Sequence, residues 1–339
     1  MKRSSKQHLM LIAIAMLCIH TADAKTGVCY GTLGDNLLPP RQIINLCKRH
    51  NIGNIRIYNP NPAILKELQG TNISVIVGVP NDEIQGIATD PSLAKSWVQN
   101  NIHKYQYVNF RYISVGNEMN PSDNPNIAPY IPTAMQHISD ALEAARLRRI
   151  KVSAVLSMSV IGVSYPPSAG AFRPEFRESF IDPIIKFLLK THSVFLIDVY
   201  PYFAYASDPT NVPLDYALFT SKSVVVRDGA YKYQNLFHAM VDSVHAALEK
   251  AGGAKIKVVV TETGWPTAGG VGTTVSNAFT YNSNLFKSVT RGTPRRPRKP
   301  LDTYIFDLID ENQKTPELER HWGIFLPNNV PKYHLSFTA

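Results

Sequence analysis

Two glutamates, Glu118 and Glu262, lie 144 positions apart in matching local settings. Each follows a short run of apolar, partly β-branched residues and opens a loop punctuated by glycine and proline. Around the first stand Ile113, Val115, Gly116, Asn117 and Pro121; around the second stand Val258, Val259, Val260, Thr261, Gly264, Trp265 and Pro266. Such runs read as buried strands, whose last residues are held rigidly while the following loop is free to vary. Paired carboxyl groups delivered in this way can cleave a glycosidic bond. One protonates the departing oxygen, and the other attacks the sugar or activates water. That chemistry requires both at one mouth, so a single closed sheet has to bring them together.

The rest of the chain supplies the pattern for such a sheet. Short β-branched runs at 28–31, 54–58, 73–79, 113–117, 151–156, 194–200, 258–261 and 302–306 alternate with helical periodicity. The helical stretches fall at 39–50, 62–69, 91–103, 127–148, 180–190, 231–251 and 276–290, the first with Ile43, Ile44 and Cys47 on one face. This alternation predicts an α/β protein with one (β/α)8 barrel over 25–339, Glu118 ending strand four and Glu262 strand seven. A doubly wound open sheet is the rival, but no Gly-rich phosphate turn follows the first strand. The expected mouth is rich in aromatics and amides. Tyr58 ends strand two, Asn81 and Asp82 follow strand three, and Asn117 precedes Glu118; Tyr200, Tyr202, Phe203 and Tyr205 follow strand six, and Trp265 strand seven. Aromatic faces stack on sugar rings and amides bond hydroxyls.

Residues 1–24 have a basic start, an apolar segment from Leu9 to Ile19 and the small-residue ending Ala22-Asp23-Ala24, the pattern of a secretory signal cleaved before Lys25. The apolar segment is shorter than the roughly 20 residues that cross a bilayer. A secreted, monomeric protein of the apoplast or cell wall is expected, with no membrane partner. The leader carries Lys2, Arg3, Lys6 and Asp23, so its loss lowers the formal charge from +9 to +7. That is ordinary solubility charge, and no nucleic-acid partner is expected. Cys18 leaves with the leader, and Cys29 and Cys47 read as buried free thiols. Among ten histidines there is no HExxH, and His238 and His245 read as a solvated helix face, so neither metal nor cofactor is implied. The basic run 291–299 reads as a solvated loop away from the mouth, and Asn72-Ile73-Ser74 is a glycosylation sequon beside a strand.

Seven ordered motifs carry a family resemblance. They are GlyValCysTyrGly at 27–31, ArgIleTyrAsnPro at 56–60, GlyValProAsn at 78–81, ValGlyAsnGlu at 115–118, ValTyrProTyrPheAlaTyr at 199–205, ThrGluThrGlyTrpProThrAla at 261–268 and AspGluAsnGlnLys at 310–314. From about residue 26 onward the chain resembles the plant family 17 glycoside hydrolases, the endo-β-1,3-glucanases. The resemblance implies retaining hydrolysis of 1,3-β-glucan, with Glu118 as proton donor, Glu262 as nucleophile, and Glu311 and Lys314 as further active-site charges. Met119 and AspLeuIle at 307–309 depart from the pattern beside the site, which bears on subsite shape more than on chemistry. A 1,3-1,4-β-glucan hydrolase, a glucan transglycosylase and a non-catalytic glucan-binding wall protein are the alternative readings. No apolar tail follows 335–339, so a lipid anchor is not expected.

Overall fold

The computed structural model describes residues 24–337, so the expected leader lies, apart from Ala24, outside the described residues. Eight parallel strands form the barrel: β1 Thr26–Tyr30, β2 Asn54–Ile57, β3 Ser74–Val79, β4 Asn109–Asn117, β5 Lys151–Ser157, β6 Val194–Asp198, β7 Lys257–Thr263 and β8 Thr303–Ile305. Each pairs with its neighbours in chain order, and β1 closes the ring against β8. The central strands are buried along most of their length and mostly apolar, because helices cover the outside and side chains fill the inside, as the alternation predicts. No helix among the described residues is long and apolar enough to cross a membrane.

Regular pairing fails where the strands approach the mouth. The register shifts between Ser114 and Asn117 against β5, between Val260 and Glu262 against β6, and between Val260 and Thr263 against β8. Such irregularities re-aim the side chains that follow them. Both sequence-predicted glutamates therefore follow a break in an otherwise regular ladder.

Several local expectations are corrected. The helix expected from 231 begins at Leu236, capped by the Asn235 side chain on His238 N, because Val226–Asp228 and Tyr231–Tyr233 pair as a hairpin. His238 and His245 do not form a solvated face. That helix is wedged between the insertion after β5 and helix Val275–Val289, where His238 Nε2 lies 2.6 Å from Ser288 Oγ. Burial lowers both imidazoles to about 4. The basic loop is only partly solvated, since Arg295 and Arg296 both bond Glu249. Cys29 and Cys47 are buried free thiols.

At the amino-terminal pole of the barrel one acid serves two cations and a backbone N–H. Asp302 accepts the backbone N–H of Lys25 at 3.0 Å, Arg111 Nη2 at 2.6 Å and Lys257 Nζ at 2.8 Å. Burial pushes its carboxyl up, but Arg111 and Lys257 outweigh it and hold the group below the usual carboxylate range. A depressed folded-state value means that the stabilisation is full above the unfolded carboxyl's range and is lost as pH falls through the folded one. Asp302→Ala is expected to cost about 2–3 kcal/mol in urea denaturation at neutral pH, since both cations keep some access to water. The difference from wild type should shrink as the pH is lowered through and below the ordinary carboxylate range.

Candidate active site

The carboxyl ends of the strands surround a cleft of about 920 Å³, at the upper end of the ~300–1,000 Å³ usual for ligand sites. Glu118 and Glu262 both line it, in unlike surroundings.

Glu262 is held by three donors. Tyr58 Oη and Arg56 Nη1 reach its Oε1 at 2.7 and 2.8 Å, and Tyr200 Oη reaches its Oε2 at 2.6 Å. A carboxylate with these partners is fixed in orientation. Arg56 is 1% exposed, an arginine inside a barrel strand. Its Nη1 also contacts Asp198 at 3.2 Å and the Thr261 carbonyl at 3.3 Å, while its Nη2 bonds Asn117 Oδ1.

Glu118 receives no side-chain hydrogen bond from the described residues. Burial, and after it the negative charge of Glu262, raises its carboxyl to about 7, with Arg56 opposing. It is presented by a reversal of the backbone, with Gly116 at φ +77° and Glu118 at φ +53°. A side chain at 116 would be strained by that φ, and its Cβ would lie 2.8 Å from Ile84 Cδ1. Asn81 holds this turn in place. Its Oδ1 accepts Asn117 N–H at 2.8 Å and its Nδ2 donates to Asn117 C=O at 3.4 Å. Asn81 thus borders the cleft while both ends of its amide are committed to the backbone next to Glu118.

Glu311 and Lys314 lie at the same mouth as an ion pair of 3.0 Å, Glu311 almost fully buried. Glu311 Oε1 accepts Leu33 N–H at 2.6 Å, and its carboxyl occupies the space where a side chain at Gly31 would go, 2.3 Å from the Cβ position. Lys314 stands 4.1 Å from the Phe306 ring centre. Burial opposes its charge, but Asp307 and Glu311 outweigh burial and raise its ammonium value.

Of the aromatics expected at the mouth, Tyr58, Tyr200 and Phe203 line the cleft. Tyr202 and Trp265 do not: they are 1% and 0% exposed, in contact with each other at 5.1 Å between ring centres. The cause is helix Pro201–Ser207, whose period turns Phe203, Ala204 and Ser207 to the cleft and Tyr202 and Tyr205 to the core. Trp265 Nε1 spends its proton on the Gly272 carbonyl at 2.9 Å.

Arg56, Asp198, Glu319 and Trp322 also line the cleft and escaped the sequence reading. Trp322 packs edge-on against Tyr200 at 5.2 Å, completing an aromatic wall with Phe203 and Phe306. Glu319 is raised by burial, opposed by Lys314. Arg56 and Asp198 had a usable signal, a charged residue inside an apolar strand. Glu319 and Trp322 lie in a stretch with little periodic structure and had none.

A barrel that holds two carboxyl groups in such unequal states beneath an aromatic wall is a carbohydrate-cleaving enzyme of the glycoside hydrolase type. The comparisons with known proteins narrow this: residues 26–337 match Glycosyl hydrolases family 17, and the chain belongs to that family. It is 48% identical over 334 residues to a glucan endo-1,3-beta-glucosidase of Vitis vinifera, covering 97% of this chain and 96% of the relative. Among solved structures it is similar to one of two plant β-glucan endohydrolases with distinct substrate specificities, with TM-score 0.88 and 42% identity over 91% of this chain and 99% of that one. It is also similar to CJP38, a β-1,3-glucanase and allergen of Cryptomeria japonica pollen, with TM-score 0.90 and 42% identity over 93% of this chain and 99% of the other.

Removing the Asn81 clamp tests how the turn positions Glu118. Asn81→Leu should lower kcat by about 100-fold while KM changes by less than about fivefold, read from steady-state kinetics on a soluble glucan. An effect confined to KM would make Asn81 a sugar contact only.

Proposed function

We propose that this protein hydrolyses internal 1,3-β-glucosidic bonds of β-1,3-glucans, with retention, using Glu118 as acid/base and Glu262 as nucleophile. The observation that carries the assignment of roles is the difference between the two carboxyl groups. Glu262 is held by three donors, the Arg56 guanidinium among them, which aim it as an attacking group; the Glu118 side chain receives no hydrogen bond from the described residues, is buried and faces a negative charge, which favours the acid.

In the first step a Glu262 oxygen bonds to the anomeric carbon, the glycosidic C–O bond breaks, and the departing oxygen takes the proton of Glu118. Glu118, now a carboxylate, removes a proton from the incoming water, whose oxygen displaces Glu262 from the sugar. Glu311 and Lys314 sit beside this pair as fixed charges. Sugar faces rest on Tyr58, Tyr200, Phe203 and Trp322, and Asn117 stands next to the acid, where it is available to a ring hydroxyl. The relatives' named activity supports 1,3-β-glucan as substrate. The leader pattern supports export to the cell wall, where such glucans occur.

Laminarin distinguishes the readings. Shorter chains, released first as β-anomers by NMR, are expected; longer chains would mean transfer to sugar, and an unchanged polymer would mean binding alone. Glu262→Gln should lower kcat at least about 1,000-fold. Since Glu118 must be protonated in the free enzyme, kcat/KM should fall about tenfold per pH unit above about pH 7. A basic limb that persists unmoved in Glu118→Gln would remove Glu118 from the acid role.

A further inference from the structure

Arg56 faces two carboxyl groups from one position. Its Nη1 is 2.8 Å from Glu262 Oε1 and 3.2 and 3.4 Å from the two oxygens of Asp198. Asp198 ends β6 directly opposite Glu262 in the strand register, is 1% exposed, and borders the cleft. Its Oδ1 accepts the Thr261 hydroxyl at 2.6 Å. One buried cation neutralises one carboxylate. Glu262, with the shorter bond to Arg56 and two phenols besides, takes that charge, so Asp198 keeps its proton in the resting enzyme.

The charges facing Asp198 agree with this. Burial, then Glu262, push its carboxyl well above the ordinary range, Arg56 opposes, and Glu118 adds a smaller upward push. Among the other titratable neighbours of the cluster, Cys29 from β1, Tyr58 after β2 and Tyr200 after β6 are themselves held well above their usual values by burial and stay neutral, while Lys314 and Glu319 at the mouth act on Glu262 and are not among the charges that weigh on Asp198.

Formation of the glycosyl-enzyme changes the balance. Glu262 becomes a neutral ester, so Arg56 loses its counter-charge and Asp198 loses the strongest charge opposing its ionisation. Glu118 becomes a carboxylate in the same step, but it faces Asp198 more weakly than Glu262 or Arg56. We propose that Asp198 is a positioning residue that takes over Arg56 for the lifetime of the covalent intermediate, releasing its proton to solvent through the cleft and recovering one when water frees Glu262. Arg56 need not travel for this, since both carboxyl groups are already within reach of the same nitrogen. The guanidinium is thereby kept aligned for the returning Glu262 carboxylate.

This rests on Glu262 as nucleophile, and the test separates the two ideas. In Glu118→Ala, 2,4-dinitrophenyl β-laminaribioside delivers a leaving group that departs as the phenolate without an acid, and the glycosyl-enzyme accumulates for want of a base. Stopped-flow absorbance follows dinitrophenolate, and an indicator dye in weak buffer at about pH 6 follows protons. The expected result is a burst of about one dinitrophenolate with about one proton released per site, and the same burst without the proton in Glu118→Ala/Asp198→Asn. A burst with no proton in Glu118→Ala overturns the handover and leaves the nucleophile standing. No burst at all overturns the nucleophile and the proposal with it. In the enzyme with Glu118 intact, Asp198→Asn mimics the protonated form and should slow breakdown of the intermediate roughly tenfold more than its formation. Equal effects on both steps would make Asp198 merely structural.

Discussion

A guanidinium buried in the middle of the barrel is the constraint on which the site depends. Burying an unpaired arginine costs several kcal/mol, and Arg56 is tolerated at 1% exposure because neighbouring strands turn acceptors toward it. Those acceptors are Asn117 from β4, Asp198 from β6, and Glu262 with the Thr261 carbonyl from β7. Four strands, including β2 itself, are thus tied at one point by a planar, permanently charged fork. The orientation of Glu262 follows from that knot more than from any contact within its own strand.

The two poles of the barrel handle charge in opposite ways. At the amino-terminal pole a single acid, Asp302, faces Arg111 and Lys257, so it stays ionised and its contribution is to stability. At the carboxyl-terminal pole Arg56 faces Glu118, Asp198 and Glu262 together, and the nearby Lys314 is paired with Glu311, so carboxyl groups are left under-neutralised and Glu118 and Asp198 are pushed toward their protonated forms. With the roles proposed above, the acid is the product of that shortage. A second cation as close to Glu118 as Arg56 is to Glu262 would firm the structure and remove the proton that the chemistry needs.

Much of this was legible in the chain because its determinants are local. Eight β-branched runs bounded by Gly, Pro and Asn, and two glutamates at strand ends, need only neighbouring residues to be recognised. The roles of Tyr202 and Trp265 were not legible: adjacency to a strand end says nothing about which face of helix Pro201–Ser207 meets the core. His238 and His245 fail for the same reason, since a spacing of seven fixes a shared helix face but not what packs on it. Arg56 and Asp198 are invisible as partners because their meeting is created by closure of the sheet, 142 positions apart in sequence. Trp322 and Glu319 belong to irregular segments whose course is set by contacts with distant parts of the chain.

The irregular pairing at the strand ends explains how one scaffold holds two glutamates in such different ways. β7 slips against β6 just before Glu262, which brings that residue level with Asp198 and under the same arginine. β4 slips against β5 before Asn117 and then reverses through Gly116 and Glu118, so that Asn117, and not the glutamate, receives the guanidinium. Had β4 continued as a regular strand, Glu118 and Asn117 would exchange faces, because side chains alternate along a strand. Glu118 would then be the arginine's partner and lose its proton. The Asn81 clamp on the backbone of Asn117 therefore protects more than a position: it decides which of two adjacent residues the buried cation meets, and with that the protonation state from which the reaction starts.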